Sequence, residues 1–266
     1  KDPNQLLDFA YQNKKIDNYD LSIEVYQYVI NQDYSSKVTM LAILEMADVF
    51  ERKSIKSKFS LPISQYFYNN QILSTPYHYV DSTNLKNLNS AISLYDSLYT
   101  ISKGSDAGFR LAEIKFTILN DLDNALDIYK ECIKYSKNHS IQFNSILRMA
   151  DIMIAKGDLY KAKKILNENI SAYKNLEQNN LLAIKNIQID FLNRDESVID
   201  SISSIILNIS KDNPLYNDLL DIQSLILSFK GSPELLKNFS KSQLLIFQNK
   251  RTQAINELIN IYNYPN

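Results

Sequence analysis

Residues 149–162 read Met149-Ala150-Asp151-Ile152-Met153-Ile154-Ala155-Lys156-Gly157-Asp158-Leu159-Tyr160-Lys161-Ala162. An apolar run of helical spacing stops at a Gly-Asp pair, and a second helical pattern starts at once after it. Ala150 and Ala162 stand 12 positions apart, one on each side of that turn. Two helices joined so tightly must cross closely, and a large side chain at the crossing would push their axes apart. Ala10 and Ser22 repeat the interval, as do Ser242 and Ala254; Ala112 to Ala125 is 13.

Working outward, the pattern recurs along the chain. Phe109–Ile114 opens one helix and Asn124–Tyr129 lies on the next; Leu147–Ile152 opens a third and Lys161–Leu166 lies on a fourth. Leu122, Ala125, Leu126, Tyr129 and Ile133 form one apolar stripe, and Leu159, Ala162, Leu166, Ile170 and Tyr173 another. Neither stripe can be buried inside its own hairpin, so neighbouring hairpins must stack. Toward the N-terminus, 6–14 and 19–30 read as a first hairpin with its turn at Asp17-Asn18, and 38–52 as a helix centred on Ala47. Toward the C-terminus, 180–193 and 198–209 form a pair whose second helix lacks the alanine. Asn213-Pro214 is expected to start a helix with Asn213 as its cap, and Ser232 is expected to cap another before Pro233. The last hairpin covers 235–249 and 252–262.

This block resembles the tetratricopeptide repeat consensus, in which a small residue on helix A precedes one on helix B by twelve positions. Ala91 and Ala125 are 34 apart, the period of that family, whereas Ala125 to Ala162 is 37. The resemblance is clear from Leu88 to Tyr173, fair at both ends, and weak over 54–84 and 178–231. It implies an all-α fold, a right-handed superhelical solenoid of about six or seven hairpins. Its parts are 1–53 (a hairpin and a following helix), 54–84 (irregular and aromatic-rich), 85–175 (the best repeats) and 176–266 (degenerate repeats). The irregular spacing resembles bacterial repeat proteins, which points to the periplasm or cell envelope. The chain begins at Lys1 and not at methionine, so the lack of a targeting signal says little. A partial or processed chain is expected, with further repeats after Tyr264-Pro265-Asn266.

Composition agrees with helices. Four glycines and six prolines in 266 residues are too few for a fold made of short strands and turns. Lys+Arg 29 against Asp+Glu 30 leaves no basic excess for nucleic acid, and no stretch has the apolar length of a membrane span. Cys132 is the only cysteine and lies on a helix-B stripe, where a packed core thiol is expected. His78 and His139 lack metal-ligand spacing, and the glycines at 104, 108, 157 and 231 build no phosphate loop. No enzyme activity, metal or cofactor is expected.

The expected function is a non-catalytic scaffold or adaptor that holds another protein or a peptide segment in a concave groove. Directly after the helix-A alanines come Asp48, Glu113 and Asp151, which the resemblance places on that groove. Chaperone-binding members of the family carry Asn and Lys there, so acids argue for a basic partner segment instead. Solvated carboxylates without a partner are the plainer alternative. Tyr66, Phe67, Tyr68, Tyr77 and Tyr79 decorate the irregular region around Pro62 and Pro76, with a short helix expected over 63–73. Tyr66 and Tyr68 are its candidate partner contacts, against packing aromatics that fill an irregular repeat. A regulatory or structural subunit of an enzyme or envelope complex is the alternative. A helical-repeat nucleic-acid binder is a weaker one, since it would need a basic inner face.

Overall fold

The computed structural model describes residues 2–55, 70–170, 172–173, 175–194 and 198–263. Thirteen α-helices and one 3-10 turn account for the regular structure of those residues, and no strand occurs among them. The helices are α1 (Pro3–Lys15), α2 (Tyr19–Ile30), α3 (Ser36–Ser54), α4 (Leu85–Ile101), α5 (Asp106–Thr117), α6 (Leu122–Tyr135) and α7 (His139–Lys156). They continue with α8 (Leu159–Ile170), α9 (Leu176–Leu192), α10 (Val198–Asn208), α11 (Tyr216–Ser228), α12 (Pro233–Phe247) and α13 (Arg251–Tyr262).

Contacts divide the chain into two compact units. The first runs to residue 145 and the second from residue 146, with residues 70–76 belonging to the second. In the first unit each helix from α2 to α6 packs on its predecessor, and α1 also meets α3. In the second, α9 packs on α8, α10 on α9, α11 on α10 and α13 on α12, and α12 reaches back to α9.

The turn chemistry explains why the hairpins close where they do. Among the described residues, five with positive φ end helices: Asp17, Asn120, Gly157, Arg194 and Asn249. After α1, Asn18 N–H donates to the Asn13 carbonyl at 2.9 Å and Asp17 N–H to Lys14 at 3.2 Å. The same pair of bonds closes α7 (Asp158 to Met153 and Gly157 to Ile154, both 2.9 Å) and α12 (Lys250 to Leu245 at 2.8 Å, Asn249 to Ile246 at 2.9 Å). These bonds occupy carbonyls that a helix end otherwise leaves unpaired, and they need one left-handed residue. Asp158 then accepts from Lys161 N–H at 3.0 Å and opens α8.

The small residues sit at the crossings. Ala10, Ser22, Ala47, Ala91, Ala112, Ala125, Ala150, Ala162, Ser242 and Ala254 are each at most 1% exposed. The approach is close enough for Ser22 Oγ to donate to the Ala10 carbonyl at 2.9 Å across the α1–α2 hairpin. Four residues further along the second helix of a hairpin stands a large buried group: Tyr26, Tyr95, Tyr129 or Leu166, again at most 1% exposed. Tyr26 shares a core cluster with Leu7 and Ala10 of α1 and with Ala42, Met46 and Val49 of α3. It is therefore held by its own hairpin and by the next helix along.

Several sequence expectations need correction. α7 starts at His139, well before Leu147. Asn213 Oδ1 accepts from Leu215 N–H at 2.9 Å, but this caps only a turn, and α11 begins at Tyr216. Ser232 precedes α12 without a side-chain capping bond. The helix expected over 63–73 does not run through its end: Asn70 lies outside it and residues 71–73 form a turn, while 63–69 lie outside the described residues. In that turn Asn70 Oδ1 accepts from Ile72 and Leu73 N–H at 3.1 and 3.2 Å. Its Nδ2 donates to the Asp218 carbonyl at 2.7 Å, pinning the segment to α11.

Candidate partner-binding surface

The first helix of each hairpin can be aligned on its crossing residue: Ala10 in α1, Ala47 in α3, Ala112 in α5, Ala150 in α7 and Ser242 in α12. The left-handed turn residue follows seven positions later in α1, α7 and α12, and the same distance before Arg194 identifies Ile187 in α9. On this register a rule of pairing emerges. The residue two before the crossing position reaches back to the first helix of an earlier hairpin.

Glu45 of α3 meets Lys14 of α1, four past Ala10. Arg110 of α5 meets Glu51 of α3, four past Ala47. Ser240 of α12 donates to the carbonyl of Phe191 in α9, four past Ile187. Lys185 of α9 departs by one turn and takes Asp151 of α7 at 2.8 Å. The Glu45–Lys14 and Arg110–Glu51 ties have opposite polarity, so exchanging their partners would set like charges together.

Asp48 is half-buried beside the first of these ties. It accepts from Lys14 Nζ at 2.8 Å and from Arg52 Nε at 2.9 Å. Burial works against its charge, but Lys14 and Arg52 outweigh it and hold the carboxyl below the usual carboxylate range. Lys14 itself is only 6% exposed. Burial disfavours its ammonium, and Asp48 and Glu45 overcome this and raise its pKa. Glu51 behaves differently. Burial dominates and lifts its pKa even though Arg110 Nε at 3.1 Å and Tyr95 Oη at 2.9 Å both donate to it.

Glu113 is buried and accepts from Tyr129 Oη. Asp151 is 3% exposed, with Arg148 Nη1 at 3.2 Å on one oxygen and Lys185 Nζ at 2.8 Å on the other. Lys185 also donates to Gln188 Oε1 at 2.8 Å. Of the three acids singled out in the sequence, only Asp48 keeps substantial access to solvent. The other two are interior groups with intramolecular partners. Tyr66 and Tyr68 lie outside the described residues. Tyr77 packs edge-on against Phe116, with centroids 5.9 Å apart, whereas Tyr79 is 60% exposed.

Lys14, Glu45, Glu51 and Arg110 went unnoticed in the sequence because each tie joins residues far apart along the chain. The signal was present in the register: a charge at a fixed offset from each small residue. An open cleft of about 680 Å³ lies among Gln27, Met46, Phe50, Lys86, Asn89, Ser90, Ser93 and Leu94, on α2, α3 and α4. Cys132 is fully buried, and burial pushes its thiol up to about 12, far from a nucleophile's range. Among the described residues no group of His, Cys, Asp and Glu has the makings of a metal site, and no helix is long and apolar enough to cross a membrane. No protein-family model matches the chain, and no curated protein matches it significantly.

Proposed function

We propose that this chain is a non-catalytic scaffold whose hairpins form a tetratricopeptide-like right-handed solenoid, and that it holds a partner protein or peptide segment against its first helices. The observation that carries this reading is the repeated register: small residues at the crossings of α1, α3, α5, α7 and α12, left-handed turns, and three ties at the same offset. Such a stack presents an extended row of helix faces, which is a surface for binding other chains. Asp48, with Glu45 beside it, is the acidic point at which a basic segment would be met. Glu113 and Asp151 contribute by keeping the row in register.

Affinity capture from native cells at moderate salt tests this. A small stoichiometric set of proteins is expected, with retention that falls as salt rises. Recovery of nucleic acid alone, or turnover by the isolated chain, would overturn it.

A further inference from the structure

The link between α3 and α4 is out of proportion to its task. α1 and α2 are joined through residues 16–18, α5 and α6 through 118–121, and α12 and α13 through 248–250. α3 and α4 pack on each other as those pairs do, yet residues 55–84 separate them. Closing a hairpin needs only a few residues, and a link this long in a packed chain usually carries a function of its own.

Residues 70–73 belong to the second unit, although α3 and α4 belong to the first. They form a turn and no helix, yet Asn70, Ile72 and Leu73 are only 4%, 6% and 5% exposed. Gln71 and Ser74 face solvent. Asn70 serves both sides of the contact. Its Oδ1 accepts from Ile72 and Leu73 N–H and sets the shape of the turn, while its Nδ2 donates to the carbonyl of Asp218, 148 residues away. Gln71 N–H donates to Asp218 Oδ2 at 3.3 Å. Asp218 lies in the first turn of α11 and is itself buried.

A short peptide is held on a protein in this way, by a self-shaped turn, two apolar anchors and hydrogen bonds to one helix. Two apolar side chains and two hydrogen bonds offset the entropy of ordering four irregular residues without a large surplus. The helices are tied by far more contacts, so the turn opens at lower cost than they do. We infer that residues 70–73 are an internal ligand of the second unit, a clip that docks on the start of α11 and detaches as one piece while the helices stay folded. Detachment uncovers the Asp218 carboxylate and the surface under Ile72 and Leu73, so the clip controls access to that part of the second unit. The inference does not depend on what the scaffold binds.

Amide hydrogen exchange of the full chain, resolved residue by residue, tests it. In the wild type the amides of 71–73 should exchange at least about tenfold faster than those in the middle of α4 and α12, with a weaker dependence on urea. Asn70→Ala should speed exchange about fivefold at Gln71, whose amide is bonded to Asp218 and not to Asn70. Asp218→Ala should do the same at Ile72 and Leu73, whose amides are bonded to Asn70. Ile72→Ala with Leu73→Ala should raise carbodiimide labelling of Asp218. Amides 71–73 that open only together with the helices, at the same rate and urea dependence, would overturn the inference, and this comparison needs no variant to fold. So would substitutions whose effects stay with the amides they bond directly, or unchanged labelling of Asp218.

Discussion

The α1–α2 hairpin and the α12–α13 hairpin share a plan and differ in how they finish. Both have buried small residues at the crossing and a left-handed residue after the first helix. On α1 the outward positions are mostly polar, and its inner side is tied to α3 through Lys14. On α13 the outward positions are apolar, and Arg251 enters no ion pair among the described residues. A stack of repeats needs a polar outer face at its ends to remain solvated.

The comparison breaks most easily at the position four past the second small residue. Tyr26→Ala should cost about 3–5 kcal/mol, because a fully buried ring leaves a cavity between α1, α2 and α3. Leu258→Ala, at the same register, should cost less than about 1 kcal/mol. Urea denaturation midpoints measure both. Equal costs would mean that α13 is covered as well as α2 is.

Charge sharpens the contrast at the next scale. Lys14→Met should cost about 1–2 kcal/mol near neutral pH, discounted for the partial exposure of Asp48 and Glu45. Asp48 has a depressed pKa in the folded chain, so its stabilisation is present above its unfolded value near 4 and is lost as pH falls through the folded one. Lys14 has a raised pKa, so its share is present below its unfolded value near 10.5 and is lost as pH rises through the folded one. The gap between wild type and variant should therefore be widest between about pH 5 and 10 and should close at both extremes. Arg251→Met should shift stability by less than about 0.5 kcal/mol throughout.

The smallest effect concerns the turns. Arg194 adopts a left-handed conformation that an ordinary side chain tolerates poorly. Arg194→Gly should stabilise the chain by about 1 kcal/mol, offset in part by the greater freedom of glycine when unfolded. Asn249→Gly should change it by a few tenths, since asparagine visits that region more readily. Thermal melts would rank the two, and the reverse order would remove the common turn as the explanation.

How much of this was legible beforehand varies by element. The first hairpin, α8 and the last hairpin fell close to their expected bounds, because apolar period and turn residues act over a few positions. The start of α7 was missed although Asn138 caps it, its Oδ1 accepting from Ser140 N–H at 2.9 Å, because His139 to Asn144 interrupts the helical apolar period. Asn213-Pro214 has the look of a helix start, yet Asn213 spends its side chain on the turn before α11. Among the candidate site residues, Asp48, Glu113 and Asp151 each directly follow a crossing alanine in the sequence. Their burial and their partners were not visible.

The sequence alone determined that this is a helical chain, with small residues at the crossings and turns at Asp17 and Gly157. These depend on backbone sterics and on side-chain size within one or two helical turns. Only the tertiary structure decided which charges meet, as with Glu51 and Arg110, and which acids are buried, as with Glu113 and Asp151. Burial and the Coulomb partner of a group are properties of what folds over it, and that cover comes from residues far away in the chain.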